Sequence, residues 1–258
     1  MKIAVVGLGL IGGSIFKRLT KDGFEVIGIS KSQHGENIYS DYSYLSDVDV
    51  VFVATPMNSV IQTLDDIANF VSPSTIVADV CSLKVFLTER DYSFNFIPTH
   101  PMAGTEFKGF ENSFDTLFEG AKWVITPLEK ECDTSVLVSL IRKMGAVPIY
   151  STPKEHDIAV ALISHAPMVL SQALFKSVEG NELAMKLAAG GFRDMTRLAM
   201  SNPEMAQDMV DLNSSNIQNS LLQIYASVGE LLENYNIEFL SKLVEKRASM
   251  YKDGKNIF

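Results

Sequence analysis

The segment 97–106 concentrates residues that could transfer a proton. It reads IPTHPMAGTE, which places a histidine, a hydroxyl and a carboxylate within seven residues: His100, Thr105 and Glu106. Pro98 and Pro101 fix the backbone φ angle near His100, and this predicts a stiff loop rather than a helix or a strand. Histidine titrates nearest to neutral pH and often serves as a general acid or base. A turn whose histidine only caps a neighbouring segment explains this stretch equally well.

The N-terminal residues have the pattern of a strand, a glycine turn and a helix. The apolar run 2–6 leads directly into Gly7-Leu8-Gly9-Leu10-Ile11-Gly12, and apolar residues at helical spacing follow. In this context Gly7 makes the tight turn, Gly9 lets the backbone approach a pyrophosphate, and Gly12 lets the helix and strand pack closely. The turn therefore predicts a dinucleotide site, with the pyrophosphate at a helix N-terminus where N–H groups favour anions.

The end of the second predicted strand, 24–29, bears on the choice of dinucleotide. NAD enzymes usually place an Asp or Glu there, which binds the ribose hydroxyls. This chain has Ser30 and Lys31 instead. A missing carboxylate and an added cation favour a 2′-phosphate, so the prediction leans towards NADP over NAD. A Lys31 that is simply solvated would fit these residues as well.

Strands and helices continue to alternate up to about residue 150. Helices are predicted at 58–70 and 134–144, and apolar strands at 49–54, 74–80, 94–97, 123–126 and 147–150. Such apolar strands are typical of a parallel sheet that is covered on both faces. Ligands of these sheets bind beyond the carboxyl ends of the strands. The glycine turn, Thr55-Pro56, Ser82 and His100 are therefore predicted along one edge of the sheet.

From residue 152 onwards the apolar spacing is helical throughout. Thr152-Pro153-Lys154-Glu155 is a capping box with proline at the first helical position. We therefore predict an α/β protein, with a Rossmann dinucleotide-binding domain at 1–151 and an all-helical substrate-binding and dimerisation domain at 152–258. The helix from about Pro203 to Leu232 is too apolar to stand alone, which predicts a homodimer.

Two polar clusters interrupt the helical half. His156-Asp157 and Ser164-His165 fall on one predicted helix, and His165 fits a hydrogen-bonded core histidine better than a catalyst. Arg193 and Arg197 follow a Gly-Gly pair, and a guanidinium fork suits a carboxylate substrate. An ion pair with the neighbouring aspartate explains Arg193 equally well. Arg197 is therefore the stronger candidate for binding a substrate.

Composition limits the classes of function. The 258 residues are 47% hydrophobic and carry a net charge of −9, which argues against a nucleic-acid or membrane-surface partner. Cys81 and Cys132 fit neither a disulfide framework nor a zinc site, which favours a reducing compartment. The N-terminus has no basic region followed by a long apolar run. We therefore expect a cytoplasmic protein without a membrane anchor.

Together the motifs resemble the prephenate and arogenate dehydrogenases of tyrosine biosynthesis. The resemblance covers nearly the whole chain, through 5–14, 79–84 (DVCSLK), 100–106 (HPMAGTE), His156-Asp157, Ser164-His165 and 191–197 (GFRDMTR). It implies a Rossmann domain followed by an all-helical dimerisation domain. It also implies the oxidative decarboxylation of a cyclohexadienol carboxylate, with NAD(P)⁺ as hydride acceptor.

The resemblance assigns roles to residues that match the family's motifs. His100 takes the position that binds the ring hydroxyl and draws its proton, Ser82 the position that helps fix that hydroxyl, and Arg197 the position that binds a substrate carboxylate. Further candidates for the substrate are Thr105, Glu106 (at the cleft mouth), Arg193 and His165. Candidates for the dinucleotide are Gly7, Leu8, Gly9, Leu10, Ile11, Gly12, Ser30, Lys31, Thr55, Pro56 and Ser82.

The choice between the family's two substrates stays open at this point. Several prephenate-using relatives have a second histidine three residues after the one that matches His165, whereas this chain has Met168. Arogenate-using relatives often have an apolar residue there. We expect conversion of prephenate to 4-hydroxyphenylpyruvate, with arogenate to tyrosine as the alternative.

Two other classes of protein have a similar plan. A β-hydroxyacid dehydrogenase or imine reductase would place a lysine on the long inter-domain helix, but no lysine lies between Lys154 and Lys176. A non-enzymatic NADP-sensing module would not need Ser82, His100 and Arg197 at one cleft. An absorbance assay at the nicotinamide band would separate an enzyme from such a module.

Overall fold

The structure is a computed structural model that describes residues 1–105, 107–129, 132–252 and 255–256. Glu106 lies outside the described residues. The chain forms two compact units, Met1–Ile217 and Gln218–Phe258.

A parallel sheet lies at the centre of the first unit, with strand order β3-β2-β1-β4-β5-β6. Its strands are β1 (Lys2–Val6), β2 (Glu25–Ile29), β3 (Ile38–Tyr39), β4 (Val50–Val53), β5 (Ile76–Asp79) and β6 (Asn95–Phe96). Val6 pairs with Ile29 and Val53, and Val53 pairs with Asp79. The central strands therefore end in one row, and the segments that follow them share the carboxyl edge of the sheet.

The sheet is apolar on both faces because each face packs into its own core. Val6 and Val53 pack with helix α2 (Met57–Ile67), whereas Val5 and Phe52 pack with α1 (Leu10–Lys21) and α3 (Ser135–Lys143). Successive strand residues point to opposite faces, so a continuous apolar run fills both cores. The predicted strands and helices of this region are present, and their ends differ from the prediction by at most three residues.

The segment around His100 differs from the predicted stiff loop. Thr99–Pro101 is a strand, β7, whose residue His100 pairs with Val124 of the antiparallel strand β8 (Lys122–Ile125). With β9 (Val147–Tyr150), these strands form a second sheet in the order β7-β8-β9. The expectation that one sheet continues to residue 150 is therefore wrong. Pro101 is tolerated because β7 is an edge strand, where a missing N–H breaks no ladder.

The helical part begins as predicted. The Thr152 hydroxyl accepts a hydrogen bond from Glu155 N at 3.2 Å, and the Glu155 carboxylate accepts one from Thr152 N at 3.2 Å. The helices are α4 (Pro153–Val160), α5 (Ala166–Val178), α6 (Glu182–Leu187), α7 (Gly190–Met195), α8 (Pro203–Glu233) and α9 (Ile237–Met250). A π-helical turn, Ala161–His165, joins α4 to α5, and a 3₁₀ helix covers Arg197–Met200. The domain boundary near residue 151 stays a prediction.

Three details of the helical part differ from the expectation. Gly190-Gly191, which the sequence predicts as a break between two helices, forms the start of α7 instead. Asn213 has non-helical angles (φ −132°, ψ 22°), which kinks α8. Helical structure also does not reach the C-terminus, because Tyr251–Lys252 (β10) pairs with Lys255–Asn256 (β11).

The stretch Pro153–Val178 is long and apolar enough to span a membrane by length and composition, since an 18-residue window within it has a mean hydropathy of 1.7. It nevertheless contains His156, Asp157 and His165, which are all at most 3% exposed and hydrogen-bonded within the chain. It also contributes Val160 and Met168 to an apolar core. One third of that window is buried, and we therefore interpret the stretch as a helix that packs one face into the core of a globular fold.

Candidate active site

The conformations that a dinucleotide turn requires are present at its three glycines. Gly7 has φ +91°, and a Cβ there would lie 2.8 Å from Ala54 O. A Cβ on Gly12 would lie 1.9 Å from Gly7 O, so any side chain would push α1 away from β1. Gly9 has open space, since no atom lies within 4 Å of a Cβ built there.

The N-terminus of α1 is free of competing side chains. Gly9 is its N-cap without a side-chain hydrogen bond, and the first turn contains no acidic residue. The first N–H groups of a helix lack intrahelical partners and attract anions. The open space at Gly9 and the uncapped N–H groups therefore fit the pyrophosphate of a dinucleotide.

The loop after β2 holds the two residues that bear on the cofactor. The hydroxyl of Ser30 accepts hydrogen bonds from Ser32 N at 3.3 Å and Gln33 N at 3.1 Å, which tightens the loop. Lys31 is exposed and makes no ion pair with any residue that the structure describes. Its ammonium is therefore available to a bound ligand.

The loop after β4 contributes less specific features. The hydroxyl of Thr55 donates to Thr63 Oγ1 at 3.2 Å, which ties the strand end to α2. Pro56 is exposed immediately before α2 begins. Both residues lie on the edge that the glycine turn occupies, because β1 and β4 are neighbouring parallel strands.

A buried ion pair ties the end of β5 to β7. The carboxylate of Asp79 accepts from Cys81 N at 2.8 Å and Thr99 N at 3.1 Å, and it pairs with the ammonium of Lys84. The Lys84 ammonium also donates to Thr99 O at 2.6 Å. Both side chains are fully buried, and such a pair is stable only when hydrogen bonds satisfy it. This cluster fixes β7 against the segment that carries Ser82.

Beside that cluster, a chain of hydrogen bonds leads from His100 into the protein. His100 Nδ1 lies 2.9 Å from Nε2 of His156, and His156 Nδ1 lies 2.7 Å from Asp157 Oδ1. The Asp157 carboxylate also accepts from Lys84 N at 2.9 Å and Val85 N at 2.8 Å. Among the residues that the structure describes, the ring of His100 is therefore held through Nδ1 alone.

Burial lowers the pKa of His100 well below its ordinary value, and the neighbouring His156, Lys84 and His165 lower it further. A histidine with a depressed pKa is neutral at pH 7 and carries a lone pair. His100 can therefore accept a proton at neutral pH.

Histidine 165 is a buried side chain with an internal partner. It is 1% exposed, and its Nδ1 accepts from Asn213 Nδ2 at 3.3 Å. The same amide donates to Asp157 O at 2.9 Å, at the kink of α8. Burial lowers the pKa of His165 to about 4, although the charge of Asp157 opposes the shift. These contacts support a structural role for His165.

Because the folded pKa of His165 is depressed, its neutral form stabilises the protein at neutral pH, and this contribution is lost as the pH falls from about 6.5 towards 4. We expect His165→Asn, whose side-chain oxygen can accept from Asn213, to reduce the loss of unfolding free energy between pH 7 and pH 5 by about 2 kcal/mol. Urea unfolding of both proteins at the two pH values measures this difference. His100 contributes equally to both proteins, so equal losses would exclude the role given to His165.

The two arginines lie on the segment after α6. Arg193 is 82% exposed, and its Nε lies 3.4 Å from the carboxylate of Asp194, which matches the predicted ion pair. Such an exposed pair contributes little stability. Arg197 is exposed at the start of its 3₁₀ helix and makes no ion pair with any described residue. The fork of Arg197 is thus available to an anion.

Two further candidates, Ser82 and Thr105, carry hydroxyl groups that differ in exposure. The hydroxyl of Ser82 is partly buried and makes no hydrogen bond with the described part of the chain. Thr105 is exposed, and its hydroxyl accepts from Phe107 N at 3.2 Å. Glu106 is outside the described residues, so its predicted position at the cleft mouth stays a prediction.

Sequence reasoning missed the residues that hold His100 in place. Asp79, Lys84, His156 and Asp157 were not among the candidates, although their motifs were noted. One signal could have identified His156: the capping box fixes where α4 begins, so His156 and Asp157 must be its fourth and fifth residues. The contact with His100 spans 56 residues in sequence, and no local pattern reports it.

The parallel sheet with its glycine turn, followed by a helical region, defines the class of fold: a Rossmann-type dinucleotide-binding domain with an appended helical region. Two family models match this chain: the nucleotide-binding domain of prephenate dehydrogenase at residues 28–150 and its dimerization domain at 152–246. The chain belongs to the prephenate and arogenate dehydrogenase family. The glycine turn lies before the first matched residue, so its geometry is an independent observation.

Individual relatives agree with the family models. The prephenate dehydrogenase of Bacillus subtilis is 29% identical over 98% of this chain and 75% of its own length. The arogenate dehydrogenase of Synechocystis is 32% identical, with a TM-score of 0.82 over 96% of this chain and 98% of that one. The prephenate dehydrogenase of A. aeolicus, in complex with hydroxyphenyl propionate and NAD⁺, is 26% identical with a TM-score of 0.86, over 97% and 98% of the two chains.

Proposed function

We propose that this protein oxidatively decarboxylates prephenate to 4-hydroxyphenylpyruvate with NAD(P)⁺, in the cytoplasm. The observation that carries this proposal is the site at the carboxyl edge of the sheet. There the Asp79–Lys84 ion pair fixes the strand of His100 and the segment of Ser82, and the lowered pKa of His100 keeps that side chain neutral. The glycine turn after β1, at the same edge of the sheet, fits a dinucleotide. Family membership supports the reaction class.

His100, Ser82 and Arg197 have separate roles in the proposed reaction. The bound dinucleotide supplies a hydride acceptor. Nε2 of His100 takes the hydroxyl proton as the ring carbon loses hydride, so the C–OH group becomes a carbonyl. The ring carboxylate then leaves as CO₂ and its electrons aromatise the ring, and His100 can return the proton to the phenolate oxygen. Ser82 orients the hydroxyl, and Arg197 binds a carboxylate.

The second candidate is arogenate, which would give tyrosine directly. The observation that favours it is Met168, which is 4% exposed in an apolar core that also contains Cys81. The apolar Met168 matches the arogenate-using relatives, which often have an apolar residue at this position. The family includes proteins that are named for each of the two substrates.

Absorbance of the reduced nicotinamide, measured with each substrate and each dinucleotide, tests the proposal. We expect kcat/KM to be largest for prephenate. A larger kcat/KM for arogenate would replace the first candidate by the second. The absence of reduction with both substrates, for a folded protein that binds the dinucleotide, would exclude the proposed function.

The exposed Lys31 makes NADP⁺ the dinucleotide that we propose to be used at least as well as NAD⁺. Lys31→Asp should shift the preference towards NAD⁺, because its carboxylate would repel a 2′-phosphate and accept from the ribose hydroxyls. The ratio of kcat/KM for the two dinucleotides measures this shift. Lys154→Asp, at an exposed position on α4, makes the same change of charge elsewhere and should leave the ratio unaltered. If both variants keep the wild-type ratio, Lys31 is only a solvated charge.

We also propose a homodimer that uses α8. Leu222, Tyr225 and Leu232 of this helix are 66%, 78% and 73% exposed, and such apolar side chains usually meet a partner surface. Light scattering at micromolar concentration should give twice the chain mass of 28.5 kDa. Introducing charges with Leu222→Glu and Tyr225→Glu should yield a monomer, whereas Gln223→Glu, at an exposed neighbouring position, should not. A monomeric wild-type protein would contradict this proposal.

A further inference from the structure

We propose that His156 is a positioning residue, which holds the proton of His100 on Nδ1 so that Nε2 is free to accept a proton. This inference rests on the proposed function of His100 and deepens it. It concerns which nitrogen of the catalytic ring carries the proton, and which residues determine that choice.

The argument begins at the far end of the hydrogen-bond chain. An ionised carboxylate only accepts hydrogen bonds, and that of Asp157 accepts from Lys84 N and Val85 N. Oδ1 of the same carboxylate lies 2.7 Å from Nδ1 of His156. His156 must therefore donate through Nδ1–H, and in its neutral form the lone pair is on Nε2.

The same logic fixes the ring of His100. Nε2 of His156 lies 2.9 Å from Nδ1 of His100, and the two rings are nearly perpendicular, at 80°. Because Nε2 of His156 is the acceptor, Nδ1 of His100 is the donor, and the lone pair of His100 is on Nε2. The opposite tautomer would place two lone pairs against each other across this contact.

Burial of His156 and Asp157 makes this arrangement of donors and acceptors important for proton transfer. His156 and Asp157 are each 3% exposed, so water does not compete for their hydrogen bonds. When His100 Nε2 takes a proton, the ring becomes an imidazolium whose Nδ1–H bond to His156 is charge-assisted and stronger. The carboxylate of Asp157, which carries the opposite charge, is connected to His100 through two successive hydrogen bonds. The arrangement has the logic of a catalytic triad, in which a second group fixes the tautomer of the base.

Two substitutions separate the two hydrogen bonds of His156. The side-chain amide of Asn reaches the position of Nδ1, so His156→Asn keeps the contact with Asp157 and loses the acceptor for His100. The amide of Gln reaches the position of Nε2, so His156→Gln keeps an acceptor for His100. We expect His156→Asn to lower kcat by roughly 10–100-fold with little change in KM, as when a partner that orients a histidine is removed. His156→Gln should stay within a few-fold of wild type.

Ring ¹⁵N–¹H correlation spectra of protein labelled at histidine read the tautomer without any substrate. The chain has four histidines, at 34, 100, 156 and 165, and single substitutions assign their signals. We expect the proton of His100 on Nδ1 in the wild type and in His156→Gln, and on Nε2 in a large fraction of His156→Asn.

The spectra test the tautomer of His100, and the kinetics test the proposed function, so the two hypotheses can be excluded separately. A wild-type His100 that is protonated on Nε2, or equal spectra for the Asn and Gln variants, would overturn the inference. If the spectra follow the expectation but neither prephenate nor arogenate is oxidised, the positioning role stands and the proposed function fails. Should His156→Asn not fold, the wild-type and His156→Gln spectra still decide the tautomer.

Discussion

His100→Asn is expected to lower kcat by roughly 10²–10⁴-fold, which is the usual contribution of a general base. The amide nitrogen of Asn can occupy the position of Nδ1 and still donate to His156, at the 2.9 Å contact that the histidine makes. The substitution thus removes Nε2, the atom that accepts the proton, and retains the hydrogen bond that holds the side chain. Steady-state kinetics with a saturating dinucleotide measures the effect.

Binding of the dinucleotide provides the control for this variant. The glycine turn is built by residues 7–12, and in the described part of the chain these residues make no hydrogen bond to the His100 side chain. The dissociation constant of the dinucleotide, measured by titration, should therefore match that of the wild type. Activity within a few-fold of wild type, in a protein that binds the dinucleotide normally, would exclude His100 as the proton acceptor.

The sequence predicts the first part of the fold well because its rules are local. A tight turn, an open approach and a close contact each require glycine, and Gly7, Gly9 and Gly12 satisfy these requirements in turn. The capping box at Thr152 likewise involves groups only three residues apart. Such features depend on backbone geometry that neighbouring residues determine, so the printed order of residues is enough to locate them.

The second sheet could not be predicted in the same way. β7 has only three residues, Thr99–Pro101, and each of them is either a proline or next to one. Its pairing depends on β8, which is more than 20 residues later in the chain. A short strand has no periodic pattern of its own, and proline argues locally against any strand. The tertiary partner outweighed the local preference, because proline on an edge strand leaves no donor unpaired.

The residues of the candidate site likewise fall into those that local motifs indicate and those that only the tertiary structure brings together. His100, Ser82 and Arg197 were recognisable because their motifs place reactive side chains after predicted elements. The Asp79–Lys84 pair and the chain through His156 to Asp157 join residues from separate segments, and their function is apparent only from distances. Side chains that we propose to contact a ligand are thus easier to predict from the sequence than the side chains that hold them in position.

Arg197→Ala is expected to raise the KM for the substrate by about 30-fold, which corresponds to about 2 kcal/mol, the lower end of the cost of truncating one partner of a charged pair. The lower end applies because the guanidinium is exposed and has no ion-pair partner among the described residues, so the variant leaves no buried charge in the free protein. Both candidate substrates carry carboxylates, which a guanidinium can bind through two parallel hydrogen bonds. The KM for the dinucleotide should remain close to the wild-type value.

Two further variants test whether the fork, rather than the charge, is what matters. Arg197→Lys should recover only part of the loss, since an ammonium cannot make the bidentate contact. Arg193→Ala removes a second exposed arginine of the same segment, whose pair with Asp194 contributes little stability, so it should leave both the KM and the melting temperature nearly unchanged. If Arg193→Ala instead raises the substrate KM while Arg197→Ala does not, the two arginines have been assigned the wrong way round. Equal, small effects of both would mean that the substrate carboxylates are bound by other residues.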